Sequence, residues 1–302
     1  MRACILSLTE ARYACAMRGD RFRTEIQSAW TAALHQTNAY PMARVPNIDR
    51  RRIRTHTIPP GQVVRRRGSA LEITSKNDGS IRDIPAIAQH LPGTTPGSGW
   101  ITWAEWTNAT GSPISTFRTQ WTVPPLPTAN DSQLLYLFNG LMPATRDEIL
   151  QPVLQWGVSP SGGGPTWQVA NWFISKTGEG VNSAFFDVNP GQTLTGTMKL
   201  EWIDNSQAGS PTFAYTSVFE EYPDSQINVT YTTELTVASL TLEAYFQKQA
   251  TISDYPAGQT TFSAIEIDSA AGAMPFAWAF TNEVTDCNQS TTPSGPNVVI
   301  SY

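Results

Sequence analysis

Histidine is the residue that this chain most clearly lacks. Its three histidines, His35, His56 and His90, all precede residue 91, so the stretch 91–302 contains none. That stretch therefore cannot use a Ser-His-Asp or Cys-His nucleophile system, and most zinc sites are excluded as well. Carboxylates, amides and hydroxyls remain as the groups available for catalysis there.

Cysteine, charge and long apolar runs are also scarce. The stretch 91–302 holds one cysteine, Cys287, which excludes a disulfide within it. Charged residues make up only 15% of the chain, a balance typical of a β-rich extracellular protein. No apolar run reaches the length of a transmembrane helix, so a membrane is not an expected partner.

The charges that are present are unevenly distributed. Residues 1–90 carry 15 Lys and Arg against 7 Asp and Glu, whereas residues 91–302 carry 5 against 18. The basic leader has two interpretations: a disordered tail, or a pro-segment held on the acidic body by opposite charge and released when carboxylates are protonated. The acidic body would repel phosphates, so nucleic acid is not an expected partner.

Composition predicts four parts. Residues 1–55 form a basic leader that we expect to be poorly ordered, 56–90 a short β-hairpin region, 91–99 a linker, and 100–302 one large domain. Strand-like segments separated by Gly, Pro, Asn and Ser turns follow one another from Trp100 onward. This pattern predicts an all-β fold, an antiparallel β-sandwich or jelly roll.

Four N-glycosylation sequons favour an extracellular location. They begin at Asn108, Asn130, Asn228 and Asn288, all in the predicted β domain. The first eight residues contain an apolar run too short for a signal peptide, so secretion is predicted from the sequons and composition alone. We expect the chain to act as a monomer.

Three segments carry the candidate chemistry. They are FRTQWTVPP (117–125), VLQWG (153–157) followed by WQVANWF (167–173), and SLTLEAY (239–245). In order and character they resemble the glutamic peptidases, or eqolisins, acid-active enzymes built on a concanavalin-like double-sheet jelly roll. The 149–157 stretch also resembles uncharacterised secreted fungal and bacterial proteins.

The resemblance implies an acid-active endopeptidase with a polypeptide substrate and neither metal nor cofactor. Gln155 matches the family's catalytic glutamine, and Glu243 lies where its catalytic glutamate would. Trp172 falls in the family's aromatic strand. The chain departs from the family at Asn171, where a glutamate is usual, and at 138–142, where the family's substrate-site Trp and Asp are missing.

A Glu/Gln pair can hydrolyse an amide without a covalent nucleophile. The carboxylate of Glu243 would activate water and later return the proton to the leaving amine, while the amide of Gln155 would donate to the oxyanion. Gln151 competes for the role of Gln155, because residues four apart in a strand share a face. Pro152 is expected to force a bulge between them.

The candidate substrate-binding residues are Trp156, Trp167, Trp172, Asn171 and Gln151. The three tryptophans either belong to the core of the sandwich or line a groove that stacks on peptide or sugar. The alternative function is a noncatalytic carbohydrate-binding or interaction protein on the same scaffold. Placement distinguishes the two functions. An enzyme needs Gln155 and Glu243 on one concave face, within hydrogen-bond reach of a shared water, and opposite faces would exclude it.

Overall fold

The computed structural model describes residues 53–67, 70–84, 99–207 and 211–302. Most of the predicted leader and of the predicted linker lies outside these ranges. In chain order the strands are β1 (Arg54–Thr57), β2 (Gln62–Arg67), β3 (Ala70–Ser75), β4 (Ile81–Ile84), β5 (Trp100–Thr107), β6 (Thr116–Thr122), β7 (Leu134–Pro143), β8 (Ile149–Ser159), β9 (Gly162–Ile174), β10 (Glu179–Asn182), β11 (Phe186–Asp187), β12 (Thr193–Asp204), β13 (Thr212–Phe219), β14 (Tyr222–Tyr231), β15 (Leu235–Tyr245), β16 (Gln259–Ser269), β17 (Gly272–Ala273), β18 (Ala279–Asn282), β19 (Ser290–Ser294) and β20 (Asn297–Ser301).

The described strands form two sheets. The first has the order β1-β10-β9-β8-β7-β15-β5-β18, with β11 paired to β9. The second has the order β19-β20-β16-β6-β12-β13-β14-β2-β3-β4, with β17 paired to β16. Nearly all pairs are antiparallel, and the sheets pack face to face. The prediction of an all-β, double-sheet sandwich is confirmed.

The burial pattern of each strand follows from its place in the sandwich. Phe117, Thr119 and Trp121 of β6 are buried and alternate with more exposed residues, as expected for a strand with one face in the core. Strands β7 and β15 are buried almost throughout, as is β8 except at Val158. Such continuous burial means that the centre of the first sheet is covered on both faces.

The two faces of the first sheet carry separate apolar clusters. The inner face, which packs on the second sheet, includes Leu137, Leu154, Trp156 and Leu240. The outer face, which points away from the second sheet, carries the cluster Trp100, Trp103, Tyr136, Phe138, Val153, Ala170, Trp172 and Tyr245, with further apolar residues around it. The candidate site has to be sought on one of these two faces.

Strands from the region before residue 91 are paired with strands of the main domain. Strand β1 runs parallel to β10, and β2 runs parallel to β14, so that β2, β3 and β4 extend the second sheet. Within residues 56–90 the sequence predicts short strands at 62–65, 70–73 and 80–82 with a hairpin turn at 77–79, and strands β2 to β4 agree with this pattern. The predicted domain boundaries themselves remain a prediction.

Three local expectations were wrong. Pro152 introduces no bulge: β8 pairs with β9 in unbroken register from Ile149 to Trp156, and the irregularity falls between Trp156 and Gly157. The sequence SGGG at residues 161–164 is typical of a flexible loop, but it contains the start of β9 at Gly162. The sequence pattern also predicts one strand over residues 212–222, but this strand ends at Phe219 and a turn separates it from β14.

Helical structure is nearly absent from the part of the chain that the structure describes. Its one helical segment is a 3-10 turn at Ile252–Asp254. None of the described residues form a helix with the length and apolarity needed to cross a membrane.

Candidate active site

Glu243, Tyr136 and Gln155 form one cross-strand row on the outer face of the first sheet. Glu243 on β15 is paired with Tyr136 on β7, and Tyr136 is paired with Gln155 on β8. Residues paired directly across strands project to the same side of a sheet. Because neighbouring strands lie about 4.8 Å apart, the backbones of Glu243 and Gln155 are about 10 Å apart. The two side chains therefore share a face, with one strand between them.

The carboxylate of Glu243 is held by a tyrosine on its own strand. The Tyr245 hydroxyl donates a hydrogen bond of 2.5 Å to Oε1 of Glu243. Residues two apart in a strand lie on the same side, which brings this pair together. The side chain of Glu243 is 1% exposed, so the bond forms away from bulk water. The position of that carboxylate oxygen is thereby fixed.

The amide of Gln155 is fixed by two backbone carbonyls. Its Nε2 donates to the carbonyl oxygen of Gly157 at 2.9 Å and to that of Gly162 at 3.0 Å. Both amide hydrogens are therefore engaged. Its Oε1 is buried and has no hydrogen-bond partner among the described residues. For Nε2 to donate to an oxyanion, it must leave one of the two carbonyls.

The arrangement around Gln155 depends on Gly163. A β-carbon at this position would lie 2.4 Å from Nε2 of Gln155 and 2.4 Å from the carbonyl oxygen of Gly157. Its φ of 111° is also one that residues with a side chain rarely adopt. Only glycine allows the β8–β9 hairpin to close over the amide.

Tyr136 occupies the space between the two candidate catalytic residues. Its ring packs edge-to-face on Trp172, with centroids 6.4 Å apart, and on Tyr245, with centroids 6.5 Å apart. Such aromatic contacts favour a defined ring position. Tyr136 is fully buried and lies within the outer-face cluster. It is thus a structural neighbour of both Glu243 and Gln155.

Two of the other predicted residues share this face. Gln151 and Trp172 are paired across β8 and β9 and lie on the outer side with Gln155. The prediction that Gln151 and Gln155 share a face agrees with the unbroken register between them. Gln151 lies about 13 Å from Gln155 along the strand, and so it is too far from Glu243 to act in one dyad with it.

The remaining three predicted substrate-binding residues face the second sheet. Trp156 and Trp167 pack on each other with ring centroids 5.8 Å apart in the inner cluster. Asn171 donates from Nδ2 to the backbone oxygen and to Oγ of Ser225, and its Oδ1 accepts from Ser217. Trp156 and Asn171 are each adjacent in their strand to an outer-face residue and therefore project inward. Trp167 is paired with Trp156 across β8 and β9, so it projects inward as well.

The sequence reasoning gave no role to Tyr136, Tyr245 or Gly163. A signal for Tyr245 was available, since it stands two residues after Glu243 in a predicted strand. Tyr136 had no local signal, because its position depends on the pairing of β7 with β15, about 100 residues apart in the chain. Gly163 was read as part of a loop.

Two polar side-chain contacts join the early strands to the body. Nε2 of His56 lies 3.2 Å from Oε2 of the buried Glu179, and Arg66 lies 2.8 Å from Oε1 of Glu148. Burial raises the pKa of the Glu148 carboxyl, and the charge of Arg66 opposes that rise. These contacts agree in sign with the opposite charges of the leader and the body.

Among the described residues, the candidate dyad is neither part of a metal-binding cluster nor part of the lining of the cavity described next. The described residues include no group of three or more His, Cys, Asp or Glu able to hold a metal ion. A cavity of ≈ 520 Å³ lies elsewhere, lined by Ala264, Ile265, Phe276, Ala277, Trp278, Phe280, Pro293, Gly295, Pro296 and Asn297. Since Gln155 and Glu243 are each 1% exposed, a substrate can reach them only when the outer face opens.

The chain is similar to solved structures of glutamic peptidases. One is scytalido-glutamic peptidase with a peptide-based transition-state analogue, at 14% identity and a TM-score of 0.47 over 68% of this chain and 98% of that one. Another is SCP-B, a member of the eqolisin family of peptidases, in complex with a tripeptide, at 14% identity and a TM-score of 0.40 over 67% and 98%. No protein-family model and no curated protein matches this chain.

These structural neighbours belong to the family that the sequence motifs resemble.

Proposed function

We propose that this protein is an acid-active endopeptidase in which Glu243 and Gln155 act together on water and a peptide bond. The observation that carries the proposal is the cross-strand row in which both residues flank Tyr136 on one face. Opposite faces would have excluded a shared reaction centre. A carboxylate and an amide are also the groups that a body without histidine has available for this chemistry.

The reaction needs one proton acceptor and one stabiliser of negative charge. Glu243 takes a proton from a water molecule, whose oxygen attacks the carbonyl carbon of the peptide bond. Glu243 then gives the proton to the leaving nitrogen as the C–N bond breaks. The hydrogen bond from Tyr245 keeps the carboxylate in one orientation through both transfers.

Gln155 interacts with the attacking water and with the developing oxyanion. Its Oε1, which has no hydrogen-bond partner within the described part of the chain, can accept a hydrogen bond from the attacking water. As charge develops on the former carbonyl oxygen, Nε2 exchanges its bond to Gly157 or Gly162 for one to that oxyanion. A donor of this kind contributes about 10²–10³ to the rate at known sites.

The carbohydrate-binding alternative loses its main support. It required tryptophans that are exposed enough to stack on a sugar ring. Trp156, Trp167 and Trp172 are instead 3%, 1% and 0% exposed, and two of them lie between the sheets. The exposed tryptophan of the described residues is Trp202, which stands apart from the candidate site.

Cleavage of a denatured protein from pH 2 to pH 7 tests the proposal. The full-length chain is first incubated at each pH, so that opening of the outer face is included in the measurement. We expect cleavage at acid pH, a loss of at least about 10²-fold in Glu243→Gln, and a loss of about 10²–10³-fold in Gln155→Ala. Gln120→Ala, on the second sheet, is the matched control and should retain full activity. Cleavage that survives Glu243→Gln would disprove the assignment.

A further inference from the structure

The outer face holds a second amide that the proposed reaction does not use. Gln151 is 0% exposed, and neither its Nε2 nor its Oε1 has a hydrogen-bond partner among the described residues. Burying an amide without partners costs free energy, because the group loses its hydrogen bonds to water and gains none in return. Buried polar side chains are almost always paired, so an exception of this kind calls for an explanation in function.

Other polar atoms on the same face also lack a hydrogen-bond partner among the described residues. Trp172, paired with it on β9, has a buried Nε1 without a partner. Ser239 and Thr241 on β15 have hydroxyl oxygens without a partner. Gly140 lies on the strand between Gln151 and Ser239, and a β-carbon there would come within 3.3 Å of the Ser239 oxygen and 2.9 Å of Ile149. The side chain of Ile149 thus packs over Gly140, in the space that a larger residue there would need.

The chemistry of these atoms defines what they can bind. The amide and the hydroxyls can donate and accept, and the indole of Trp172 can donate. Glu105 on β5 is paired with Ser239 and forms an ion pair of 2.5 Å with Arg146. The charges of these two residues compensate each other. A charged ligand would therefore lack a counter-charge, and an apolar ligand would leave every polar atom unpaired. A neutral group with both donors and acceptors fits.

We propose that Gln151 is a specificity-determining residue that pairs with a peptide unit of the substrate main chain, in a role that rests on the proposed peptidase function. Its Nε2 donates to the substrate carbonyl oxygen, and its Oε1 accepts from the substrate N–H. Gln151 lies four residues from Gln155, or about 13 Å along β8. An extended substrate advances about 3.4 Å per residue, so the paired unit lies about four residues from the reacting one.

The same opening of the outer face that exposes Glu243 and Gln155 would expose Gln151, because all three lie on one face. Two hydrogen bonds to the peptide unit would strengthen binding about tenfold. The contribution should arise only in peptides long enough to span both positions. The contribution of Gln151 to affinity should therefore depend on the length of the substrate and not on a particular substrate side chain.

Thermal stability gives the first test, independent of activity. Replacing Gln151 by Met removes the unpaired amide and keeps the volume of the side chain. We expect the Tm to rise by about 2–4 °C, since no hydrogen bond within the protein is lost. A fall of similar size would show that the amide supports the fold and would overturn the proposal.

Peptide binding gives the second test. Blocked alanine peptides of two to ten residues are titrated calorimetrically at pH 4 and pH 7 into the full-length Glu243→Gln variant, which binds without cleaving. The Kd should fall about tenfold as peptides become long enough to reach Gln151, and this step should vanish in Glu243→Gln/Gln151→Met. The control Glu243→Gln/Gln120→Met should keep it.

The outcomes separate this proposal from the peptidase function. Cleavage by the wild-type chain without a length step, or a step that persists in Gln151→Met, would disprove the role of Gln151 alone. A Gln151-dependent step in a chain that cleaves nothing would disprove the peptidase function and keep the subsite. Absence of peptide binding at every length would overturn the subsite.

Discussion

The Tyr245 hydroxyl donates a hydrogen bond of 2.5 Å to the carboxylate of Glu243, two residues earlier on the same strand. The contact is local in sequence but lies in the centre of a buried face. It connects the order of residues in β15 directly to the orientation of the proposed base, since alternate residues of a strand share a side.

Removal of that hydroxyl should impair catalysis more than folding. We expect Tyr245→Phe to lower kcat by about tenfold, because the carboxylate of Glu243 loses the charge-assisted hydrogen bond that fixes its orientation. The KM for a protein substrate should change little. Steady-state kinetics at acid pH measures both values. An unchanged kcat would show that Tyr245 has no positioning role.

Gly163→Ala should displace the amide of Gln155 while leaving the identity of both catalytic residues unchanged. The new β-carbon would lie 2.4 Å from Nε2, and the positive φ would add backbone strain. We expect at least a tenfold loss of kcat/KM. Gly164→Ala is the matched control, since nothing lies within 4 Å of a β-carbon there, and it should keep wild-type activity. Equal activity in both variants would contradict the proposed role of the hairpin.

Asn171 should matter for stability and not for catalysis. Its side chain makes three buried hydrogen bonds to Ser217 and Ser225, between the sheets. Asn171→Ala should reduce the free energy of unfolding by about 2–4 kcal/mol, because the partners lose their bonds. Activity per folded molecule should stay unchanged. The exposed Asn189→Ala should cost less than about 0.5 kcal/mol in the same denaturant titration.

The strand pattern and the shared face could be predicted from local periodicity. Alternation in β6 and in the 239–245 segment gave strands, and the spacing of Gln151 and Gln155 placed them on one side. The same rule, applied strictly, would have separated Asn171 from its neighbour Trp172 and Trp156 from its neighbour Gln155. Those errors arose from grouping residues by type and not by the side to which they point.

Other features of the site depend on contacts that sequence order does not contain. The position of Tyr136 between Glu243 and Gln155 requires β7 to lie between β15 and β8 in the sheet. In the chain, however, β15 is the seventh strand after β8. The two carbonyl bonds of Gln155 require the register shift that follows Trp156. Both arise from non-local pairing, which periodicity in a single strand cannot specify.

Glu148 provides a prediction on the pH dependence of folding. Burial raises the pKa of its carboxyl in the folded state, and Arg66, at 2.8 Å, opposes that shift only in part. Asp147 adds to the rise, while Lys176 opposes it. A folded-state pKa above the unfolded one means that the folded chain binds this proton more tightly. Its contribution to stability is complete below the unfolded pKa and is lost as pH rises through the folded pKa.

Glu148→Gln should therefore flatten the fall in stability from about pH 4 to pH 7, because the amide remains neutral throughout. The variant should match the wild type at pH 4 and have a higher Tm at pH 7. Glu220→Gln should behave in the opposite sense, since the hydrogen bond from Arg118 lowers the pKa of Glu220 and its contribution is lost as pH falls. Thermal unfolding of both variants across this range measures the difference. The opposite outcome is that Glu148→Gln loses Tm relative to the wild type on going from pH 4 to pH 7. That result would mean that the ion pair with Arg66 outweighs the cost of burial.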